Sequence, residues 1–246
     1  SSGFIGRQLV KNLLINSNFN LSLVSRNKNI DTPSKINYIY CDLNHNFEWD
    51  SYLKNIDIVI HLAAAQHKKK NFNKKYYWQI NYESTKKLSK AIAKSTVTKF
   101  IYLSTIKVYG EKNRSLDKVD NNSNCYPAND YALSKYEAEN AILKNLKKTS
   151  VYYYILRIPL VYGPDAKGNF KLLTILLNNI LPNPLLGFYS KRSMISIYNL
   201  VDFIKYIIAT PNVPSDIYLI SDNEDVSLSQ FSKLIVLSLN RKKIQI

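Results

Sequence analysis

The chain has 246 residues, of which 46% are hydrophobic, 12% aromatic and 21% charged, the profile of a packed globular protein rather than a disordered one. No run approaches the roughly 18 consecutive apolar residues of a spanning helix, so membrane insertion is excluded. The formal charge of +16 comes from 28 Lys against 6 Arg spread along the whole length, which argues against nucleic-acid binding through one concentrated, Arg-rich segment. Asn, Lys, Ile and Tyr fill 102 of the 246 positions, a bias that an AT-rich coding sequence would produce. One dense patch, Lys68-Lys69-Lys70 with Lys74-Lys75, reads as solvated lysine, with an anion-attracting rim as the alternative. Cys41 and Cys125 are too few to staple a chain of this size and fit a reducing, cytoplasmic setting. The three histidines lack close Cys or His partners, so no metal site is expected.

Taken in order, Ser1 to Arg7 enters a glycine turn with no strand before it. Ile5, Leu9, Val10, Leu13 and Leu14 then follow helical spacing. Leu21–Val24 and Ile56–Ile60 read as strands, and Tyr82–Lys94 as a helix with Thr85, Leu88 and Ile92 on one face. Phe100–Leu103 is a third strand, Tyr131–Lys147 a helix and Val151–Ile158 a fourth strand. Apolar strands separated by helices of this length predict an α/β fold with a doubly wound parallel sheet. After Pro164, a helix within 168–187 and the residues Pro182, Pro184 and Gly187 suit a smaller, loop-rich lobe. Gln230 to Ile246 begins a helix-like pattern and stops without a terminator. Both ends read as cut, the first strand being absent.

Three features carry chemistry. Gly3 and Gly6 have the spacing of the last two glycines in a G-x-x-G-x-x-G turn. There the backbone and a helix N-terminus receive a pyrophosphate, although Gly-x-x-Gly alone is common. Tyr131 and Lys135, four apart, share a helix face, and an ammonium beside the phenol would lower its pKa toward a working range. Such a tyrosine would shuttle a proton in an alcohol–ketone interconversion. Ser104 and Thr105 end an apolar strand, where open α/β sheets bind ligands and where hydroxyls also serve as ordinary caps.

The series Gly3-x-x-Gly6, His61-Leu62-Ala63-Ala64, Asn81, Ser104-Thr105-x-x-Val108-Tyr109-Gly110, Tyr131-x-x-x-Lys135 and Leu156-Arg157-x-x-x-Val161-Tyr162-Gly163-Pro164 resembles the extended short-chain dehydrogenase/reductases. The resemblance is to their NAD-dependent epimerase/dehydratase branch and runs from Ser1 to about Asp225. It implies a Rossmann-type NAD(P)-binding domain over residues 1–165 and a nucleotide-sugar-binding lobe over 166–246, part of which returns to the sheet. Tyr131, Lys135, Thr105 and Ser104 match the catalytic positions. The cofactor-binding positions are Gly3, Phe4, Ile5, Gly6, Arg26, Asp42, Leu43, Leu62, Ala63, Ala64, Asn81 and Pro159, together with Tyr131 and Lys135. Thr105, Lys107, Asn169 and Arg192 match substrate-binding positions, although Asn169 also suits a helix cap. A homodimer is the assembly that the resemblance implies.

Two departures bear on the reaction. Sugar 4,6-dehydratases of this family carry Asp-Glu where this chain has Ile106-Lys107, which argues against dehydration. UDP-galactose 4-epimerases carry Asn where this chain has Leu160. The expectation is therefore hydride transfer at C4 of a UDP-hexose. It leans to a 4-keto-sugar reductase of the UDP-N-acetylquinovosamine type in polysaccharide biosynthesis, with a UDP-glucose or UDP-N-acetylglucosamine 4-epimerase as the alternative. A non-catalytic NAD(P)-sensing protein is the alternative of another class, and such proteins usually lose the Tyr/Lys pair. NAD or NADP is the expected cofactor, and Arg26, just past the second strand of the intact fold, tilts the expectation toward NADP(H).

Overall fold

The computed structural model describes residues 2–15, 19–26, 36–45, 47–66, 74–110, 119–166, 173, 175, 177, 185 and 187–238. Its elements run α1 (Phe4–Ile15), β1 (Leu21–Ser25), β2 (Ile36–Tyr40), β3 (Ile58–His61), α2 (Lys74–Tyr77), α3 (Ser84–Ile92), β4 (Lys99–Thr105), α4 (Asp130–Leu146) and β5 (Tyr152–Ile158). Then follow β6 (Leu160–Tyr162), β7 (Lys191–Ser196), α5 (Ile197–Ala209), β8 (Asp216–Leu219), β9 (Asp225–Ser227) and α6 (Leu228–Ser238). The chain divides into two compact units, Ser1–Ile158 with Val201–Leu219, and Pro159–Leu200 with Ile220–Ile246. β8 is the part of the later chain that returns to pair with β5.

In the first unit β3, β4, β5 and β8 form a parallel sheet in that order, and β1 and β2 form a separate parallel pair. The parallel α/β architecture is the one expected. β4 and β5 are buried along nearly their whole length, which is why Phe100–Leu103 and Tyr153–Ile158 read as continuous apolar runs. Side chains alternate across such a sheet. Phe100, Tyr102, Tyr153 and Ile155 pack with Leu88 and Ile92 of α3 and Ala138, Ile142 and Leu146 of α4. Tyr154, between two of them, stacks toward Tyr218, which in turn meets Phe203 of α5. Lys99, at the start of β4, ties α5 down by donating to the carbonyls of Ile207, Ile208 and Thr210 at 2.7, 3.1 and 2.8 Å. These are carbonyls that the end of a helix leaves without an internal donor.

The helix expected over 82–94 starts earlier. α2 and α3 are joined through a π-helical segment, Trp78–Glu83, which widens the turn and carries Asn81 inward, 1% exposed. β2 has no counterpart in the sequence reading, because INYIY mixes a polar residue into a short run.

The second unit holds β6, β7 and β9, with β7 parallel to β6 and antiparallel to β9. Its core is Leu177, Met194, Phe231 and Ile235. Asp222 knots it together, accepting from Tyr162 Oη at 2.8 Å, from Asn199 Nδ2 at 2.8 Å and from the Ser196 amide at 2.9 Å. Most of the helix expected within 168–187, and residues 239–246 of the C-terminal one, lie outside the described residues. Among the described residues no helix is long and apolar enough to cross a membrane, and no group of three or more His, Cys, Asp or Glu could hold a metal.

Candidate active site

β4 ends at Thr105, whose extended backbone turns directly into the 3-10 segment Ile106–Tyr109. Thr105 Oγ1 caps that turn by accepting the Lys107 amide at 3.3 Å. α4 opens on Asn129, whose side chain accepts the Ala132 amide at 2.9 Å, so Tyr131 stands in the first turn. The Tyr131 ring meets Tyr77 edge-on at 6.2 Å and packs on the small cluster of Ala65, Tyr77 and Ile80. Burial pushes its phenol's pKa up, while hydrogen bonding with Gln66 and with Thr105 pulls the other way. The Lys107 ammonium lies 5.7 Å from the ring centroid. Gln66, which the sequence reading does not single out, thus joins Thr105 and Lys107 around the phenol.

The expected effect of Lys135 on the phenol is not what the structure shows. Lys135 is buried, 2% exposed, and its Nζ donates to the Leu103 carbonyl at 2.6 Å and lies 4.0 Å from the Tyr102 ring centroid. Its charge is engaged there, and the Tyr131 phenol is raised rather than lowered. Burial pulls Lys135 itself down to about 7, with Glu139 acting in the opposite direction.

Ser104 also differs from its expected role. Its hydroxyl donates to Glu139 Oε1, so it is committed to a buried ion pair. Arg157 Nη2 reaches Glu139 Oε2 at 2.7 Å and Arg157 Nε reaches the same oxygen at 3.2 Å. Both members are nearly fully buried, with side chains 4% and 1% exposed. The guanidinium also sits 4.8 Å above the ring of Tyr109. Of the Ser104 and Thr105 hydroxyls, that of Thr105 is the one close enough to the Tyr131 phenol to pull its pKa down.

Asn81 works through the chain itself. Its Oδ1 accepts the Ala65 amide at 2.8 Å, and its Nδ2 donates to the Ala65 carbonyl at 3.2 Å and to Ser134 Oγ at 2.9 Å. Ser134 Oγ in turn donates to the Tyr131 carbonyl at 2.8 Å. Asn81 therefore clamps the loop after β3, which carries Leu62, Ala63 and Ala64, to the first turn of α4. Below it, His61 is buried with Nε2 2.9 Å from Thr85 Oγ1.

Burial, then the Lys135 charge, lower the His61 pKa to about 3. Its ring stays neutral in the fold but takes a proton in the unfolded chain below about pH 6.5. The unfolded state binds more protons between those values, so this contribution is full above pH 6.5 and is lost as pH falls toward 3. Urea unfolding at pH 5.0 should show about 2 kcal/mol less stability from this group than at pH 7.0. His61→Gln should flatten that dependence, and an equally steep loss in the variant would refute the assignment.

Around the glycine turn, Gly6 is buried in α1 and the Arg7 amide donates to the Gly3 carbonyl at 2.9 Å. A Cβ at Gly3 would meet no atom of the described residues within 4 Å, so their packing does not require glycine there. A ligand resting on the backbone at the start of α1, among Gly3, Phe4 and Ile5, would. These residues fit a dinucleotide pyrophosphate. Asp42 and Leu43 follow β2, and the Asp42 side chain accepts the Asn44 amide at 3.0 Å. Arg26 follows β1, exposed, with Nη1 3.5 Å from Tyr76 Oη. Pro159 is buried directly after β5. Arg192 is exposed on β7 in the second unit, and Asn169 lies outside the described residues.

Comparison with known proteins gives a consistent picture. The model of the NAD-dependent epimerase/dehydratase family matches residues 1–221. A UDP-glucose 4-epimerase of Vibrio cholerae is 32% identical over 250 residues, covering 100% of this chain and 76% of the relative. An N-acetyl-alpha-D-glucosaminyl-diphospho-ditrans,octacis-undecaprenol 4-epimerase of Escherichia coli O157:H7 is 27% identical, covering 98% and 71%. dTDP-D-glucose 4,6-dehydratases match as well, that of Homo sapiens at 30% over 85% of this chain and 61% of its own length. Among solved structures, UDP-glucuronic acid 4-epimerase from Bacillus cereus in complex with NAD superposes with a TM-score of 0.82 at 23% identity, covering 98% of this chain and 82% of that one. The chain belongs to the NAD-dependent epimerase/dehydratase family.

Proposed function

We propose that this protein is an NAD-dependent 4-epimerase of a UDP-hexose, with UDP-glucose and UDP-N-acetylglucosamine as the first substrates to try. The observation that carries the reading is the Tyr131 phenol, held against Thr105 at the C-terminal end of a central strand with Lys135 one turn along the same helix. When bound, NAD supplies the group that exchanges hydride with C4 of the sugar. Tyr131 holds the proton that moves to and from the C4 oxygen. Thr105 orients both, and Asn81 fixes the loop on which the pyrophosphate would rest. Gly3, Gly6 and the start of α1 would hold that pyrophosphate, with Asp42 and Leu43 toward the adenine.

The epimerase is preferred to the 4-keto-sugar reductase because a UDP-glucose 4-epimerase is 32% identical over the whole chain. Leu160, one of the features that lean the sequence toward a reductase beside the Thr105-Ile106-Lys107-Val108 stretch and Arg26, does not prevent a keto-sugar from rotating. Dehydration is disfavoured on chemistry. The residue of the 3-10 turn that reaches the Tyr131 ring is the ammonium of Lys107, and neither it nor Ile106 can act as a carboxylic acid. NAD is preferred to NADP, Arg26 having a phenol rather than open space as its partner.

Incubating the full protein with UDP-glucose or UDP-N-acetylglucosamine and catalytic NAD should yield the C4 epimer without net cofactor reduction. Stoichiometric oxidation of NADH or NADPH by a UDP-4-keto-6-deoxy-N-acetylhexosamine, with no epimer formed from either first substrate, would move the assignment to the reductase. A second measurement addresses the cofactor site alone. Gly3→Ala should leave the melting temperature within about one degree, since the new methyl meets no atom of the described residues within 4 Å. The same variant should weaken NAD binding on the order of tenfold by lifting the ligand off the backbone. Unchanged affinity by calorimetry would remove Gly3 from the site.

A further inference from the structure

We propose that Glu139 is a positioning residue that sets the register between the helix bearing Tyr131 and the strand end bearing Thr105. The inference rests on the reading of Tyr131 as the proton-transfer group. Tyr131, Lys135 and Glu139 are spaced by four on α4 and so form one stripe, a turn apart. The last three residues of β4 each meet one member of that stripe. Leu103 accepts from Lys135, Ser104 donates to Glu139, and Thr105 neighbours the Tyr131 phenol. The Leu103 tie is made by its backbone carbonyl and the Ser104 tie by its side chain, which shares the α4-facing side of β4 with Phe100 and Tyr102, while Thr105 stands at the strand end where the chain turns away.

Glu139 differs from the other two members because it also reaches a second strand. Arg157 is the parallel partner of Ser104 in the sheet, and it grips the same carboxylate through Nε and Nη2. The guanidinium then lies on Tyr109, which ends the turn that starts after Thr105. One carboxylate therefore joins α4, β4, β5 and the turn carrying Lys107. A buried carboxylate is costly without partners, and here two groups satisfy it from two strands. Such an arrangement fixes geometry more than it adds stability.

The same carboxylate influences Lys135. The groups facing Lys135 are His61 from β3, the Tyr102 ring and Leu103 carbonyl from β4, and Glu139 on its own helix. Glu139 supplies the negative charge among them and favours the ammonium. Removing that charge should move the Lys135 titration to lower pH, on the order of one unit.

Glu139→Gln keeps the shape and removes the charge. Its kcat for C4 epimerisation should fall about tenfold with KM within about twofold, because geometry at the reacting atoms suffers and binding does not. The Lys135 titration, followed by lysine side-chain NMR and assigned with Lys135→Met, should shift downward. Ser104→Ala cuts only the tie to β4 and leaves the ion pair. It should lower kcat about threefold or more while the Lys135 titration stays in place. A folded Glu139→Gln protein with kcat within twofold of wild type, or with an unmoved Lys135 titration, overturns the proposal. If that variant does not fold, Ser104→Ala decides, and kcat within twofold of wild type overturns it. Wild-type protein that does not epimerise would sink the proposed reaction instead, and the Lys135 titration, which needs no substrate, still decides the role of Glu139.

Discussion

Tyr131→Phe should lower turnover about 100-fold or more while leaving fold and cofactor affinity close to wild type. The ring's contacts with Tyr77, Ala65 and Ile80 are apolar and survive the change, so packing loses only a hydroxyl. The lost hydroxyl is the group that Gln66 and Thr105 neighbour and the one placed to exchange a proton with the sugar. General acid–base help of this kind is worth about two to four orders of magnitude. Burial raises the phenol's pKa, so the neutral phenol is the stable form. The phenolate accepts the C4 hydroxyl proton in the first half of the epimerisation, and the phenol so formed returns it to the C4 carbonyl oxygen in the second. Epimer formation should be followed by NMR of the sugar, alongside the melting temperature and NAD affinity. Activity within about twofold of wild type would remove Tyr131 from the reaction.

The features of this site that the sequence shows are those set by local spacing. Tyr131 and Lys135 are legible because four residues of helix bring two side chains to one face, whatever the rest of the fold does. Thr105 is legible because an apolar run that ends in hydroxyls marks the ligand end of a buried parallel strand. What each of these groups bonds to is a different matter, since it depends on register between elements far apart in the chain. Lys135 reads as the partner of Tyr131, yet its ammonium finds the Leu103 carbonyl, 32 residues upstream. Ser104 and Thr105 look equivalent in sequence, yet Ser104 faces α4 and bonds Glu139 while Thr105 stands at the strand end, capping the next turn beside Tyr131. Asn81 reaches Ala65 and Ser134 through a π-helical segment, which shifts side-chain directions from those of a regular helix. Glu139 does carry a signal, the continuation of Tyr-x-x-x-Lys by a third residue at the same spacing, but a helical Glu is ordinarily a solvated one. Its burial follows from Arg157, which lies on another strand.

Gly110→Ala should be the most disruptive single substitution for folding, costing on the order of 4 kcal/mol or leaving no folded protein. Two independent constraints meet at this position. Its φ of 65° with ψ of −160° belongs to a region that residues with a side chain rarely enter. A Cβ there would also stand 1.7 Å from the Tyr126 carbonyl oxygen and 2.8 Å from its carbon, which are backbone atoms and cannot rotate away. The sharp turn at Gly110 ends the 3-10 segment after Thr105, so relief of the clash would move Tyr109 and disturb its contact with Arg157. The second Val-Tyr-Gly in the chain makes a useful control. Gly163 has φ of 144° and its Cβ would meet Ile197 Cγ2 at 2.4 Å, a side-chain atom where Gly110 meets backbone at 1.7 Å. Gly163→Ala should therefore cost less than Gly110→Ala, and Gly3→Ala, with open space around it, should cost least of the three. Melting temperatures of the three variants, measured without ligand, should fall in that order. A Gly110→Ala protein as stable as wild type would show that the turn after Thr105 tolerates another path, and would free the site from that restraint.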